Sequence, residues 1–295
     1  MLTEIQRDLV WWINERERIR LKKENRFPPP WTYDPWLRDG YFCNVDREDD
    51  RVTRWLRDNW TMDDLTLAEY EASVTVARLF NNENFLSAIG PMEPGQAPED
   101  YAERIMAEVR ERKADGRKSW SGAYMVRSNH ETVKERYCAN IFLKTYAAVD
   151  EERLTFETDM TLAEKYRRLV GYYGFGPFFA GQVIADLKNT DYHYLSYADD
   201  WWTWSCPGPG SLRGIAKFFG EKPQTSMGQD KWQTKLSTLL LMIYDQIGTA
   251  SAKHKIQNSQ NLQNCLCEYD KYTRVKYGEG RNKRKYRYDK KDQKM

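Results

Sequence analysis

The stretch that decides the fold is GYYGFGPFFAGQVIADL, residues 171–187. An apolar segment runs into Gly174-Phe175-Gly176, and Pro177 then opens a second apolar segment. Glycine in a turn and proline at the first helical position are start signals for a helix. A tight turn between two helices leaves backbone N–H groups at the start of the second helix, where they suit a phosphate oxygen. The stretch therefore predicts either a phosphate-binding hairpin or a plain helix–helix corner.

Helical patterns dominate the rest of the chain. Apolar residues recur at helical spacing over roughly 47–60, over 102–109 and over 232–247. Two further helix starts carry the same capping box, Thr66-Leu-Ala-Glu69 and Thr161-Leu-Ala-Glu164. Strand-like alternation is confined to Ala123–Val126 and Ala139–Leu143. We therefore predict an all-α fold, or nearly so.

Composition limits the classes of function. The chain has 295 residues and a net charge of +2, with 14% aromatic residues, a surplus that suits either core edges or stacking on bases. Its five cysteines are scattered without a CxxC pair, and its three histidines lie far apart, so we predict no metal site and free thiols in a reducing cytosol. The sequence shows no signal-peptide pattern and no long apolar run, which predicts an intracellular protein without a membrane partner.

The C-terminal segment differs in kind from the rest. From Lys271 onward it has eleven Lys or Arg residues against three Asp or Glu, with tyrosines interleaved. We predict one helical domain over 1–270, with the hairpin at about 161–187, and a basic tail over 271–295. The tail is either a solvated segment or a salt-sensitive contact with a nucleic-acid backbone. In the second case Lys271, Arg274 and Arg281 would bind DNA together with Gly174 and Gly176.

A charged segment follows Phe42-Cys43-Asn44-Val45. If the chain is helical from Arg47, then Arg47, Asp50, Arg51 and Arg54 lie on one face. Such a face is either exposed and paired with itself or an arginine fork that binds a phosphate group.

A second polar segment runs from Asp199-Asp200 through three tryptophans to PGPGSLRG, residues 207–214. The Gly/Pro run predicts irregular structure that ends in Ser211 and Arg213 beside a helix start. This is either an ordinary turn or an anion-binding nest, and we favour the nest. We expect this segment and the one containing Asn44 to meet around a single anion site.

Several common catalytic signatures are absent. The sequence contains no G-x-x-x-x-G-K-[ST] and no kinase-type glycine loop, which argues against a self-contained ATP phosphotransferase of either type. It also lacks G-x-S-x-G, the usual signature of serine hydrolases.

The hairpin resembles that of helix-hairpin-helix DNA glycosylases. In that superfamily the backbone N–H groups of the hairpin turn grip the DNA backbone, and an essential aspartate lies about 20 residues beyond the second glycine of the hairpin. Here Asp199 and Asp200 lie slightly further along.

A closer resemblance is to the phage alpha-glutamyl/putrescinyl thymine pyrophosphorylases and to the helical domain of 5-hydroxymethyluracil DNA kinases. The matching segments span roughly 18–285 in the expected order. They are Arg18–Lys23, Phe42–Val45 with Arg47–Thr53, Arg78–Asn81, Ser121–Tyr124, the hairpin, Gly208–Ser211 with Arg213-Gly214, Leu266–Tyr272 and the tail from Arg274 to Tyr286.

The resemblance implies DNA hypermodification in an infected bacterial host. The implied enzyme displaces pyrophosphate from 5-pyrophosphoryloxymethyluracil in double-stranded DNA with the amine of an amino acid or polyamine, without a further cofactor. The kinase relatives carry a P-loop unit, which this sequence lacks, and a DNA kinase of the same pathway is an expected partner. Two alternatives stay open: a glycosylase or lyase acting on a modified base, and a DNA-binding partner of the kinase.

The implied chemistry assigns roles to the candidate residues. Departure of pyrophosphate needs nearby positive charge and hydrogen-bond donors, and the incoming ammonium must lose a proton to a carboxylate. Candidate carboxylates for the base are Asp199, Asp200 and Asp270. Candidate leaving-group ligands are Asn44, Arg47, Asp50, Arg51, Arg54, Ser211 and Arg213.

Overall fold

The computed structural model describes residues 2–60, 64–121, 133–154, 160–189, 195 and 198–280. These ranges contain thirteen α-helices and no β-strand, so the predicted all-α class is confirmed. None of the described helices is both long enough and apolar enough to cross a membrane. In chain order the helices are α1 Glu4–Glu24, α2 Pro35–Asp39, α3 Arg51–Asn59, α4 Leu67–Phe80, α5 Glu83–Ile89, α6 Pro98–Ala114, α7 Lys134–Asp150, α8 Leu162–Leu169, α9 Pro177–Lys188, α10 Pro209–Phe219, α11 Gln229–Ile243, α12 Ala250–Lys255 and α13 Ser259–Lys276.

The chain divides into two compact units. The first combines Met1–Asp50 with Trp202–Met295, and the second comprises Arg51–Trp201. The boundary predicted at 270 falls inside α13, whose Tyr272 is fully buried. Arg281 and the rest of the segment that follows lie outside the described residues.

The first unit is built around α13, which packs closely against α10 and also contacts α1, α2 and α11. Its core contains large aromatic side chains, among them Trp12, Trp232 and Tyr269, each almost fully buried. Two glycines allow the close approach of α10: a Cβ at Gly210 would lie 2.4 Å from Cys267 Sγ, and one at Gly214 would lie 2.3 Å from the Leu266 carbonyl oxygen.

The second unit is built around α4, which is buried along almost its whole length and packs against α7 and α9. Both predicted capping boxes are present. The Thr66 and Thr161 side chains accept from the backbone amides of Glu69 and Glu164, and the glutamates accept in return from the threonine amides.

In the segment predicted as a helix-hairpin-helix at about 161–187, the structure has two helices, α8 and α9, joined by a turn. Gly174 has a φ of +81°, and a Cβ there would lie 2.4 Å from Ile141 Cγ1. Phe175 is buried, and Pro177 is the first residue of α9. The turn therefore requires glycine at 174 for both its backbone conformation and its contact with α7.

Three local predictions are wrong. Ala139–Leu143 lies inside α7 and is not a strand; the other strand candidate, Ala123–Val126, lies outside the described residues. The helix expected from Arg47 starts only at Arg51, because residues 47–49 form a separate 3₁₀ turn capped by Asp46, and Asp50 is extended with ψ 137°. Residues 209–214 are not an irregular loop either, since α10 begins at Pro209, where proline is well tolerated.

Candidate functional site

The loop over residues 42–50, here the Asp50 loop, is held in the first unit by buried side chains. Arg16 on α1, 5% exposed, donates from Nη2 to the Phe42 and Cys43 carbonyl oxygens at 2.9 and 3.0 Å. The Cys43 amide donates to Glu268 Oε2 at 3.0 Å. Because Arg16 and Glu268 belong to packed helices, these bonds fix the start of the loop against α1 and α13.

Asparagines on α13 fix the rest of the Asp50 loop. Asn264 Nδ2 donates to the Asn44 carbonyl oxygen at 3.0 Å, and Asn261 Oδ1 accepts from the Arg47 amide at 3.1 Å. The Asn44 side chain donates to the Asp49 carbonyl oxygen. Asn44 and Arg47 are thus positioned by backbone and amide contacts with α13.

Asp50 is a partly buried residue at the end of this loop. Its Oδ1 accepts from the Asn44 amide at 3.1 Å, and its Oδ2 accepts no hydrogen bond from the described residues. Burial raises the pKa of Asp50 to about 6; the hydrogen bond from Asn44 and the charge of Arg47 oppose this shift. A carboxyl with this pKa exchanges a proton near neutral pH, as a general base must.

A second charged group lies where α10 meets α13. Arg213 Nε donates to Asp270 Oδ2 at 2.8 Å, and Lys217 Nζ lies 3.2 Å from Asp270 Oδ1. The Arg213 side chain is 37% exposed, whereas that of Asp270 is 1% exposed. The buried Asp270 thus pairs with both Arg213 and Lys217, while the Arg213 side chain stays partly exposed to solvent.

Ser211 has a structural role in the same helix. Its fully buried hydroxyl donates to the Gly208 carbonyl oxygen at 3.0 Å and accepts from the Gly208 amide and from Gln263 Nε2. It therefore closes the first turn of α10. The hydroxyl that was expected to line an anion nest has its bonds inside the fold.

The Asp50 loop and α10 lie on neighbouring faces of α13. The loop contacts Asn261, Asn264 and Glu268, and α10 contacts the face that contains Leu266 and Asp270. Between these faces runs a strip of α13 that we call the α13 stripe, formed by Asn264, Cys267 and Lys271 at helical spacing.

Charged residues on both sides of the α13 stripe act electrostatically on Cys267, its middle residue. Burial raises the pKa of Cys267 to about 12; Glu268 and Asp270 add to the rise, while Lys271 and Arg213 oppose it. Lys271 Nζ also donates to Glu268 Oε2 at 2.7 Å. The Asp50 loop and the start of α10, which are far apart in sequence, therefore both contact α13. Arg47 does not share a helical face with Arg51 and Arg54, because it lies in the 3₁₀ turn before α3.

The remaining candidates lie elsewhere. Arg51, 83% exposed and 3.0 Å from Glu83, and Arg54 belong to α3 in the second unit. Asp200 caps α8, accepting from the Leu162 and Ala163 amides at 2.7 and 3.0 Å, while Asp199 is exposed. Arg274 lies in the last turn of α13.

Sequence reasoning did not single out Arg16, Lys217 or Glu268. Arg16 lies two residues before the Arg18–Lys23 segment, and Glu268 lies within Leu266–Tyr272. Both segments resemble the family, so charged residues in them or next to them were the available signal.

The comparisons with known proteins fit a fold made of helices only. The family described as 5-hmdU DNA kinase, helical domain, matches residues 3–282, and the chain belongs to this family. The chain is 27% identical over 238 residues to a 5-hmdU DNA kinase of Bacillus phage SP10, an alignment that covers 73% of this chain and 35% of the kinase. It thus spans about a third of the length of that relative. No solved structure matches the chain significantly.

Proposed function

We propose that the protein takes part in phage thymine hypermodification, as an enzyme that displaces pyrophosphate from 5-pyrophosphoryloxymethyluracil in DNA with an amine. The observation that carries the proposal is the presence, in a chain of this family, of a carboxyl with a pKa of about 6 and several cations around the α13 stripe. This combination matches a reaction that needs both a proton acceptor and a ligand for a polyanionic leaving group.

The proposed reaction is balanced as follows. Asp50 first takes one proton from the incoming ammonium. The free amine nitrogen then forms a bond to the exocyclic carbon of the base while the bond from that carbon to oxygen breaks, and pyrophosphate leaves. Arg213, Lys217 and Lys271 hold the leaving oxygens, as guanidinium and ammonium groups do for phosphates.

Asp50 replaces the carboxylates that we favoured from the sequence as the base. Both carboxylate oxygens of Asp200 are hydrogen-bonded to α8 amides, and Asp270 is almost fully buried beneath Arg213 and Lys217. Asp50 has one oxygen without such a bond and a raised pKa. The helix–turn–helix at 161–187 remains our candidate for holding the DNA backbone.

The test is an assay of a duplex that contains 5-pyrophosphoryloxymethyluracil. The protein is incubated with the duplex and with glycine, glutamate or putrescine separately, and the DNA is digested to nucleosides for mass spectrometry. We expect an aminated thymidine and one released pyrophosphate per modified base. Absence of both products with every amine would disprove the transferase, and release of a free base would indicate the glycosylase alternative.

A second candidate function is DNA recognition on behalf of a kinase. It is favoured by the similarity to the phage SP10 protein, which is a 5-hmdU DNA kinase. The alignment covers only 35% of that kinase. In that case the protein alone would leave the duplex unchanged and would stimulate phosphorylation of 5-hydroxymethyluracil when a separate kinase is added. The same nucleoside analysis, with and without the kinase and ATP, distinguishes the two functions.

A further inference from the structure

The second unit contains a cavity that the proposed reaction does not use. Its volume is about 470 Å³, and it lies between the end of α6, the loop that follows, and the first residues of α7. This volume falls within the usual range of small-ligand sites, roughly 300–1,000 Å³. The charged and aromatic residues of its lining are Lys113, Arg117, Lys118, Trp120, Lys134 and Glu135.

The charge of this lining is strongly positive. The lining contains four cationic residues and a single carboxylate, Glu135. Arg117 is paired outside the lining with Glu111 and Asp115 at 2.7 and 2.8 Å. In the part of the chain that the structure describes, the three lysines form no ion pair, so the cavity has an uncompensated positive charge.

Lys134 is the most constrained of these lysines. Its Nζ lies 3.9 Å from the centroid of the Trp120 ring. Burial lowers its pKa, and Cys138 opposes this shift. A partly buried ammonium without a carboxylate is costly, and an anion in the cavity would offset that cost.

The wall that carries Lys118 and Trp120 is fixed before any ligand arrives. The Lys118 carbonyl oxygen accepts from Asn82 Nδ2 at 3.0 Å, and the Trp120 ring stacks on Phe80 with centroids 5.4 Å apart. One residue further on, the Ser121 amide donates to the Phe80 carbonyl oxygen at 2.9 Å. Such preorganisation reduces the entropy lost on binding.

One further contact braces this wall from behind. Asn81 Nδ2 donates to Ser121 Oγ at 3.2 Å, next to the stack of Trp120 on Phe80.

We propose that this cavity is an anion site that binds phosphate-type oxygens, supplied by pyrophosphate or by the phosphates of a DNA strand. Trp120 already stacks on Phe80 and carries Lys134 over its ring. The cavity therefore offers ammonium and guanidinium groups to a ligand and little free aromatic surface for a base. The site does not depend on the transferase reaction proposed above.

The test is site-resolved labelling of lysines. The full chain is briefly treated with an amine-acylating reagent at constant ionic strength, alone, with pyrophosphate, or with an unmodified oligonucleotide duplex, and labelled peptides are quantified by mass spectrometry. We expect labelling of Lys113, Lys118 and Lys134 to fall about tenfold when the anion is at roughly ten times its Kd. Labelling of the exposed Lys231, which lies in α11 of the first unit, should not change with pyrophosphate.

The result identifies the source of the phosphate. Protection by pyrophosphate supports a free anion, and protection by the duplex alone supports a DNA strand. The double variant Lys113→Gln/Lys118→Gln should reduce the protection of Lys134 severalfold, whereas Lys231→Gln should not. Unchanged labelling with both ligands, or equal protection of Lys134 in the double variant, would overturn the proposal, and neither result bears on turnover.

Discussion

The Arg213–Asp270 pair of the first unit is built differently from two buried ion pairs of the second unit. In the second unit, Lys165 and Glu71 are paired at 2.6 Å with side chains 0% and 2% exposed, and Arg78 pairs with Asp186 in a similarly buried position. In the first unit, Arg213 is 37% exposed above a buried Asp270. A pair buried on both sides is out of reach of a ligand, whereas a buried carboxylate beneath a partly exposed cation leaves that cation accessible to one.

The largest effect should follow from breaking the Lys165–Glu71 pair. Lys165→Met would leave Glu71 as a buried charge without its cation, and we expect the free energy of unfolding to fall by about 3–5 kcal/mol. Urea denaturation followed by circular dichroism measures this change. The double variant Lys165→Met/Glu71→Met is the matched control and should recover most of the loss, because well-packed apolar residues can replace a buried pair. An equally unstable double variant would show that the charges themselves are not the cause.

Breaking the partly exposed Arg213–Asp270 pair should lower activity and leave stability nearly unchanged. Arg213→Ala removes a guanidinium that we assign to the leaving pyrophosphate, and we expect turnover in the nucleoside assay to fall by about 10²–10³. The free energy of unfolding should change by less than about 1 kcal/mol, since the lost side chain is partly exposed. Affinity for unmodified DNA should stay near that of the wild type. Normal turnover in Arg213→Ala, with Lys231→Gln as the reference variant, would remove Arg213 from the site.

Asp50 should make the stability of the first unit fall as pH rises, the opposite of the usual effect of an aspartate whose pKa is lowered on folding. The pKa of Asp50 is about 6 in the folded chain and about 3.8 as a reference value. Between these values the folded state keeps a proton that the unfolded state has lost, so this contribution to stability is complete below pH 4 and disappears as pH rises through 6. The loss is on the order of 2–3 kcal/mol.

The measurement is the difference in unfolding free energy between wild type and Asp50→Asn across pH 4–8. The wild type should lose stability relative to the variant as pH rises, because asparagine does not titrate. A flat difference would show that Asp50 titrates normally. Asp46→Asn, which changes an aspartate at the cap of the neighbouring 3₁₀ turn, serves as the reference for simple loss of a carboxylate.

Local sequence signals were sufficient for much of the fold. The two capping boxes and the Gly174–Pro177 turn depend on residues within a few positions of each other, and all three are present. The error at 139–143 has the same local origin. A five-residue alternation was outweighed by burial at Tyr137, Cys138, Ile141 and Phe142, which is the spacing of a helix.

The contacts of the charged side chains could not be predicted from local sequence signals. Lys165 and Glu71 are 94 residues apart, and Cys43 and Glu268 are 225 residues apart. Nothing near either residue announces its partner. Asp50 is a further case, since its neighbours in sequence are charged and predict an exposed helix, whereas its pKa is raised chiefly by burial, which only the folded chain produces.

The smallest effect should come from the glycine that brings α10 onto α13. A Cβ at Gly214 would lie 2.3 Å from the Leu266 carbonyl oxygen, a backbone atom that cannot rotate away, so Gly214→Ala must push the two helices apart. We expect a loss of about 1–3 kcal/mol in unfolding free energy, typical of overpacking, against a helix-propensity gain of up to about 1 kcal/mol. Gly248→Ala, where a Cβ meets nothing within 4 Å, is the control and should be nearly neutral. Because Arg213 and Lys217 lie on the same helix as Gly214, the displacement should also lower turnover in the nucleoside assay, by less than Arg213→Ala does. If Gly214→Ala is as stable and active as Gly248→Ala, the close packing of α10 on α13 is not what positions these two cations.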